Sequence, residues 1–275
     1  MKTKKERKHS LCEKNAILAM ILTVPLGLLS EAAAIVPGAA GCFLSGVAAT
    51  AILILFNKWF SPEFEGVFKP DVSLKETLII ASPMAVVIIS AVILNIISCG
   101  FYFRPSIYSL CLAVMAGFCE ETAFRAMMTA IGMKYLKGNN RPWTIVIISS
   151  IIFGLVHISN LMSGADLMMT IAQTFMAICA GFVLAAIYLR SGSIIPGIIT
   201  HMLYDFINFI TDPTIDESGV VNTPSEDSQT FIIVSLIIFS ALLAFVGLFM
   251  IRKSKIDDIE KIWQNKWNNT LPDNQ

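Results

Sequence analysis

The sequence predicts an all-α fold, a polytopic bundle of about eight transmembrane helices with both termini cytoplasmic. Three observations carry that expectation. Of the 275 residues, 55% are hydrophobic and 15% charged, and mean hydropathy is +0.71; a water-soluble domain of this length carries more charge. The apolar residues come in blocks of about 20, the length that crosses ~30 Å of hydrocarbon. The basic residues, finally, are sorted to alternate connections between the blocks. The short alternating segments that a closed barrel needs are not seen.

Residues 1–14 form a basic tail with Lys2, Lys4, Lys5, Arg7, Lys8 and Lys14. So short a run beside a span reads as an anchor to anionic lipid rather than a nucleic-acid site. The first apolar block is 16–36. Its basic start, apolar middle and Ala32-Ala33-Ala34 also fit a signal peptide. Another span follows at once, so it reads as retained, with Glu31 interfacial near its outer end. The second block, 39–60, follows the Pro37-Gly38 turn. A polar loop (61–77) leads to the third, 78–99, which contains Pro83. The fourth is 107–133. The fifth, 143–160, follows the turn-prone Gly138-Asn139-Asn140, and the sixth is 166–189. After the tight turn at 190–193 comes the seventh, 194–210. An acidic stretch, 211–229, has Pro213, Pro224 and no Lys or Arg. The eighth block is 230–251.

Residues 15–251 thus read as one transmembrane domain and 252–275 as a cytoplasmic tail. In that tail Ile256, Ile259, Ile262 and Trp263 fit a short amphipathic helix at the membrane surface. The six cysteines show no metal-ligand or redox spacing and read as small apolar residues. Cys12 is the one placed for acylation. With the N-terminus inside and eight spans alternating, 18 of the 20 Lys and Arg fall on inside segments. Arg104 falls outside and Arg125 within the fourth span. A wrong topology scrambles such a bias.

Chemistry concentrates inside the spans. Glu120, Glu121, Arg125 and Asp205 lie deep, where charge costs at least ~2.5–3.5 kcal/mol per residue, a penalty that marks function. His157 and His201 lie in the fifth and seventh spans, while His9 sits solvated in the basic tail. Residues four apart share a helix face, so Glu121 and Arg125 can pair. That pair serves structure as well as chemistry. Glu120 is about 100° round the helix. It faces elsewhere without that partner, available either as a general base or as a hydrogen-bonding group between helices. His157 is one turn beyond Phe153, and Asn160 follows a turn later. His201 shares a face with Asp205 and with Asn208. Polar groups on three helices at similar depth are placed to converge on one buried site.

Together the three elements, Glu120-Glu121-Thr-Ala-Phe-Arg125, Phe153-Gly-Leu-Val-His157 and His201-Met-Leu-Tyr-Asp205, resemble a known family. It is that of the CAAX prenyl endopeptidases and bacteriocin-processing or self-immunity proteins. Its pattern is Glu-Glu-x-x-x-Arg, Phe-x-x-x-His and His-x-x-x-Asn. The resemblance spans about 108–209 and sets a protease-like core at about 107–210. It implies a glutamate-dependent intramembrane endopeptidase with no required cofactor. By that resemblance Glu120 activates water, His157 orients it, and His201 stabilises the oxyanion. Glu121 and Arg125 hold the helix in register.

Asp205 departs from the commoner Asn, because an ionised acid repels an oxyanion. It is then protonated, or it orients His201, or Asn208 takes the donor role. A zinc-dependent variant would use Glu120, His157 and His201 as ligands, although there is no His-Glu-x-x-His. A non-catalytic self-immunity or scaffold protein is the alternative from a different class. A transporter carrying protons on Glu120 and Asp205 is disfavoured by the lack of visible inverted repeats. The expected partners are a peptide or protein substrate and the lipid bilayer, with no nucleic acid. The expected location is a bacterial plasma membrane.

Overall fold

The computed structural model describes residues 10–138, 140–212, 226–269 and 271. The basic tail through His9, most of the acidic 211–229 stretch and the last four residues lie outside the described residues. In chain order the helices are α1 (Ser10–Lys14), α2 (Ala16–Glu31), α3 (Ala39–Phe60), α4 (Leu74–Cys99) and α5 (Ile107–Glu121). They continue as α6 (Met127–Tyr135), α7 (Arg141–Val156), α8 (Leu167–Ser191), α9 (Ile195–Thr211), α10 (Glu226–Met250) and α11 (Lys253–Lys266). Short 3-10 segments extend α2 (Ala32–Ile35) and α7 (His157–Ser163).

Four helices start where a side chain accepts from an orphan first-turn N–H. Asn15 accepts from Leu18 N at 2.9 Å for α2, and Ser73 from Glu76 N at 3.2 Å for α4. Ser106 accepts from Ser109 N at 2.9 Å for α5, and Asp166 from Met169 N at 2.9 Å for α8. The Ser73 cap explains why α4 begins at Leu74, inside the expected loop. Two boundaries differ for other reasons. The expected fourth span is not one helix, because a π-helical turn at Thr122–Ala126 separates α5 from α6. And α7 tightens into a 3-10 segment at His157.

Among the described residues, seven helices are long and apolar enough to cross a membrane, against about eight expected. The one that falls short is α9, with 17 residues, or about 25 Å at 1.5 Å per residue. Its ends are nevertheless tied to opposite ends of the bundle. Ile194 N donates to Val67 O at 3.0 Å, just before α4, while Asn95 Nδ2 of α4 donates to Thr211 Oγ1 at 2.9 Å. Helix α9 therefore runs alongside α4 in the same direction. Helix α8 is central, and every side chain from Val183 through Leu189 is buried. Leu29, Phe43, Leu55 and Phe245 point outward, an apolar exterior suited to a membrane.

One end of the bundle is closed by α11. The tail helix does not lie free on a surface, as its amphipathic pattern predicts. Its stripe of large apolar residues docks beneath the bundle instead, with Ile259, Trp263 and the following Trp267 buried. Trp263 Nε1 donates to Leu189 O at 3.1 Å, and Trp267 lies against Phe64 with centroids 4.5 Å apart. Lys266 Nζ donates to Gly66 O at 3.0 Å and Lys69 O at 2.8 Å, with Asp71 Oδ2 at 3.3 Å. Burial lowers the pKa of this ammonium from its ordinary value, and Asp71 opposes that. Arg141 Nε donates to Glu260 Oε1 at 2.8 Å. The same end thus collects Lys69, Lys134, Arg141, Arg190 and Lys266. Arg104, whose N–H donates to Ile210 O at 2.8 Å, is at the other. Cys12 is buried rather than presented for acylation, and burial pushes its thiol up to about 11.

Candidate active site

The site is assembled where α5, the end of α7 and α9 meet. Gly117 of α5 allows the closest approach. A Cβ there would stand 2.9 Å from Met202 N of α9, so the two helices pack backbone against backbone. That contact brings the carboxylates at the end of α5 to His201. Gly197 makes room for one of them, because a Cβ there would be 3.1 Å from Glu121 Oε2.

His201 is buried and is the hub. Its Nδ1 lies 3.0 Å from Glu121 Oε1, and its Nε2 lies 3.5 Å from Glu120 Oε2 and 3.6 Å from Asp205 Oδ2. An ionised carboxylate only accepts, so the Nδ1 proton donates to Glu121. One expectation is corrected here: Glu120 was expected to lack a partner of its own. The expected Glu121–Arg125 pair is present, and Glu121 reaches His201 as well. The 100° between them on the helix does not send them to different partners, because the two nitrogens of one ring reach both. Arg125 Nη1 is 3.1 Å from Glu121 Oε1, both side chains being fully buried. The guanidinium nitrogens are close to that oxygen without hydrogen-bond alignment, so this contact is Coulombic. The guanidinium carbon sits 4.0 Å from the Phe153 ring centroid, a cation–π contact.

Phe153 joins the motifs. Its ring meets His157 edge-on at 5.1 Å and His201 at 5.8 Å. His157 Nδ1 lies 3.0 Å from Phe153 O. The carbonyl can only accept, which places the proton on Nδ1 and leaves Nε2 as an acceptor. The π turn at Thr122–Ala126 carries Arg125. Such turns are frequent at functional sites, and no residue pattern in the sequence announces this one.

A cavity of about 210 Å³ opens beside the site. His157, His201, Asp205, Asn208, Asn95 and Gln173 give it a polar part, and apolar side chains of α4, α8 and α10 line the rest. Glu120 is not part of this wall and touches it at His201. Asn208 donates to Tyr204 O at 2.9 Å and faces Asn95 Nδ2 at 3.4 Å. Asn160 turns away to donate to Gln173 Oε1 at 3.0 Å. Sequence reasoning missed Asn95 and Gln173, whose signal was an amide within an otherwise apolar block. Glu31, expected near the outer end of its span, is in addition within electrostatic reach of Glu120 and His201. Among the described residues, no group of three His, Cys, Asp or Glu side chains is arranged to hold a metal ion.

Residues 102–207 match the family model described as Type II CAAX prenyl endopeptidase Rce1-like. The resemblance carried by the three motifs is shown for that segment. No curated protein and no solved structure matches the chain. Together with the seven apolar helices, the family match indicates an integral membrane protein.

Proposed function

We propose that the chain is a glutamate-dependent endopeptidase that hydrolyses a peptide bond of a peptide or protein tail at the membrane. One observation supports this reading above the others. A single buried imidazole, His201, is approached by Glu120 from another helix at the wall of a cavity that His157 also lines. In this reading a water accepted by His157 gives a proton to Glu120. The water oxygen bonds to the scissile carbonyl carbon, and the carbonyl electron pair moves onto its oxygen. His201, protonated on both nitrogens, keeps Nδ1–H on Glu121 and offers Nε2–H to that oxyanion. Three carboxylates around one ring complement its positive charge. Collapse breaks the C–N bond, and the Glu120 proton passes to the leaving nitrogen.

Asp205 is read as a residue that orients His201, given its 3.6 Å approach to Nε2. Asn208 is read as a polar wall of the substrate cavity. No metal enters these steps. The end bearing Lys69, Lys134, Arg141 and Lys266 is read as cytoplasmic by the positive-inside rule, and the host membrane as a bacterial plasma membrane.

The test is cleavage of a peptide library by the purified protein in lipid vesicles. Glu120→Gln is expected to lower the rate by ~10²–10⁴-fold, and exhaustive chelation to leave it unchanged. Full cleavage by Glu120→Gln overturns the general-base role. Activity lost to chelation and restored by zinc replaces the reading with a zinc peptidase. Survival of the biological phenotype in Glu120→Gln points to a binding-only immunity or scaffold role.

A further inference from the structure

Gln173 of α8 is one of the few polar side chains in the wall of the cavity that His157 and His201 share. The two ends of its amide are in different settings. Its Oε1 accepts from Asn160 Nδ2 at 3.0 Å. Asn160 is not part of the cavity wall, so the oxygen is turned out of the cavity and the nitrogen is left to face it. That Nε2 has no hydrogen-bond partner among the described residues. Asn95 on the opposite wall differs, because its Nδ2 is committed to Thr211 Oγ1 at 2.9 Å and to Asn208 Oδ1 at 3.4 Å. A donor left unpaired among apolar side chains costs free energy, and a ligand that brings an acceptor to it recovers that cost.

The place of the donor follows from Asn160. His157 and Asn160 are both in the 3-10 segment His157–Ser163. Side chains three apart in such a segment eclipse one another, ~6 Å apart along the axis. The amide that Asn160 holds is therefore one short turn from His157. An extended peptide covers that distance in about two residues.

We propose that Gln173 is a substrate-binding residue of this centre, its Nε2–H donating to a main-chain carbonyl of the peptide about two residues from the scissile bond. Asn160 fixes the amide in that orientation. The inference rests on the endopeptidase reading. Every residue of a peptide carries a main-chain carbonyl, so the contact selects an extended backbone rather than a particular side chain. The apolar walls around it receive apolar side chains. No bond is made or broken at Gln173.

The experiment uses the library peptide that the unaltered protein cleaves best in vesicles, and a series of its analogues. Each analogue has one main-chain amide replaced by a trans-alkene, which keeps the extended shape without the carbonyl. The constants kcat and KM and the thermal unfolding are measured for the unaltered protein, Gln173→Met and Asn160→Ala. Gln173→Met is expected to raise KM by about 3–10-fold, the worth of a neutral hydrogen bond, with kcat and Tm little changed. One alkene analogue is expected to raise KM by a similar factor with the unaltered protein and by no further factor with Gln173→Met. That coupling separates contact with substrate from a structural amide. Asn160→Ala keeps Gln173 but frees it, so it is expected to weaken the same coupling. It carries the test if Gln173→Met unfolds early. An unaltered KM in a folded Gln173→Met overturns the proposal, as does an alkene penalty equal in all three proteins at every position. Glu120→Gln is run beside them: if it cleaves normally the general-base reading has failed, whereas a slow Glu120→Gln with an unaltered Gln173→Met removes only the role of Gln173. A protein that cleaves no peptide of the library overturns both.

Discussion

His201 reaches two adjacent carboxylates because its nitrogens lie on different edges of one flat ring. With Nδ1 held by Glu121 at 3.0 Å, Nε2 is left facing Glu120 and Asp205. The role of Asp205 can be separated from charge alone. Asp205→Asn keeps an acceptor oxygen toward His201 but removes the negative charge. It is expected to lower kcat/KM by about tenfold, the difference between a charged and a neutral hydrogen bond, without abolishing cleavage. Complete loss would show that the acid itself is indispensable. The candidate residues were legible in the sequence because charge and imidazole are conspicuous in apolar blocks. Their partners were not. Helical spacing places Glu120 and Glu121 about 100° apart, but it carries no information on how long an opposing ring is. The approach of Glu31 to the site was hidden for a similar reason, since position along a span gives depth and not the face turned inward.

At the scale of helices, the site depends on how closely α5 approaches α9. Gly117→Ala would set a methyl 2.9 Å from the Met202 backbone N, which has no rotamer to move aside. Overpacking of this kind costs ~1–3 kcal/mol. The variant is expected to unfold at lower temperature and to lose cleavage, since α9 carries His201. Normal activity would place the motifs' meeting elsewhere. Helix existence was legible, because blocks of apolar residues leave little choice. Internal breaks were not. The π turn at Thr122–Ala126 packs against α2 and α7, neighbours that lie far away in the chain. The docking of α11 was likewise hidden. Its apolar stripe says that one face is covered, and lipid or protein cover it equally well in sequence.

For the whole molecule, α11 ties together connections that are far apart in sequence. Lys266 bridges the Gly66 and Lys69 carbonyls and Asp71. Lys266→Ala leaves Asp71 without its buried cation and is expected to cost ~3–5 kcal/mol, measured as a lower Tm in detergent. A change within error would show that α11 contributes little to closure. The sorting of basic residues announced this end from sequence, because the same segments that carry Lys and Arg gather there. The number of spans was less legible, since the short α9 is recognised as running end to end only by its links to Val67 and Asn95.

The central claim is that Glu120 activates water rather than attacking the peptide itself. A single turnover in ¹⁸O-labelled water, read by mass spectrometry, tests it most directly. The account predicts ¹⁸O in the new carboxylate of the product in the first turnover, with Glu120 unlabelled and Glu120→Gln forming product ~10²–10⁴-fold more slowly. An unlabelled first product with ¹⁸O appearing in Glu120 would contradict it.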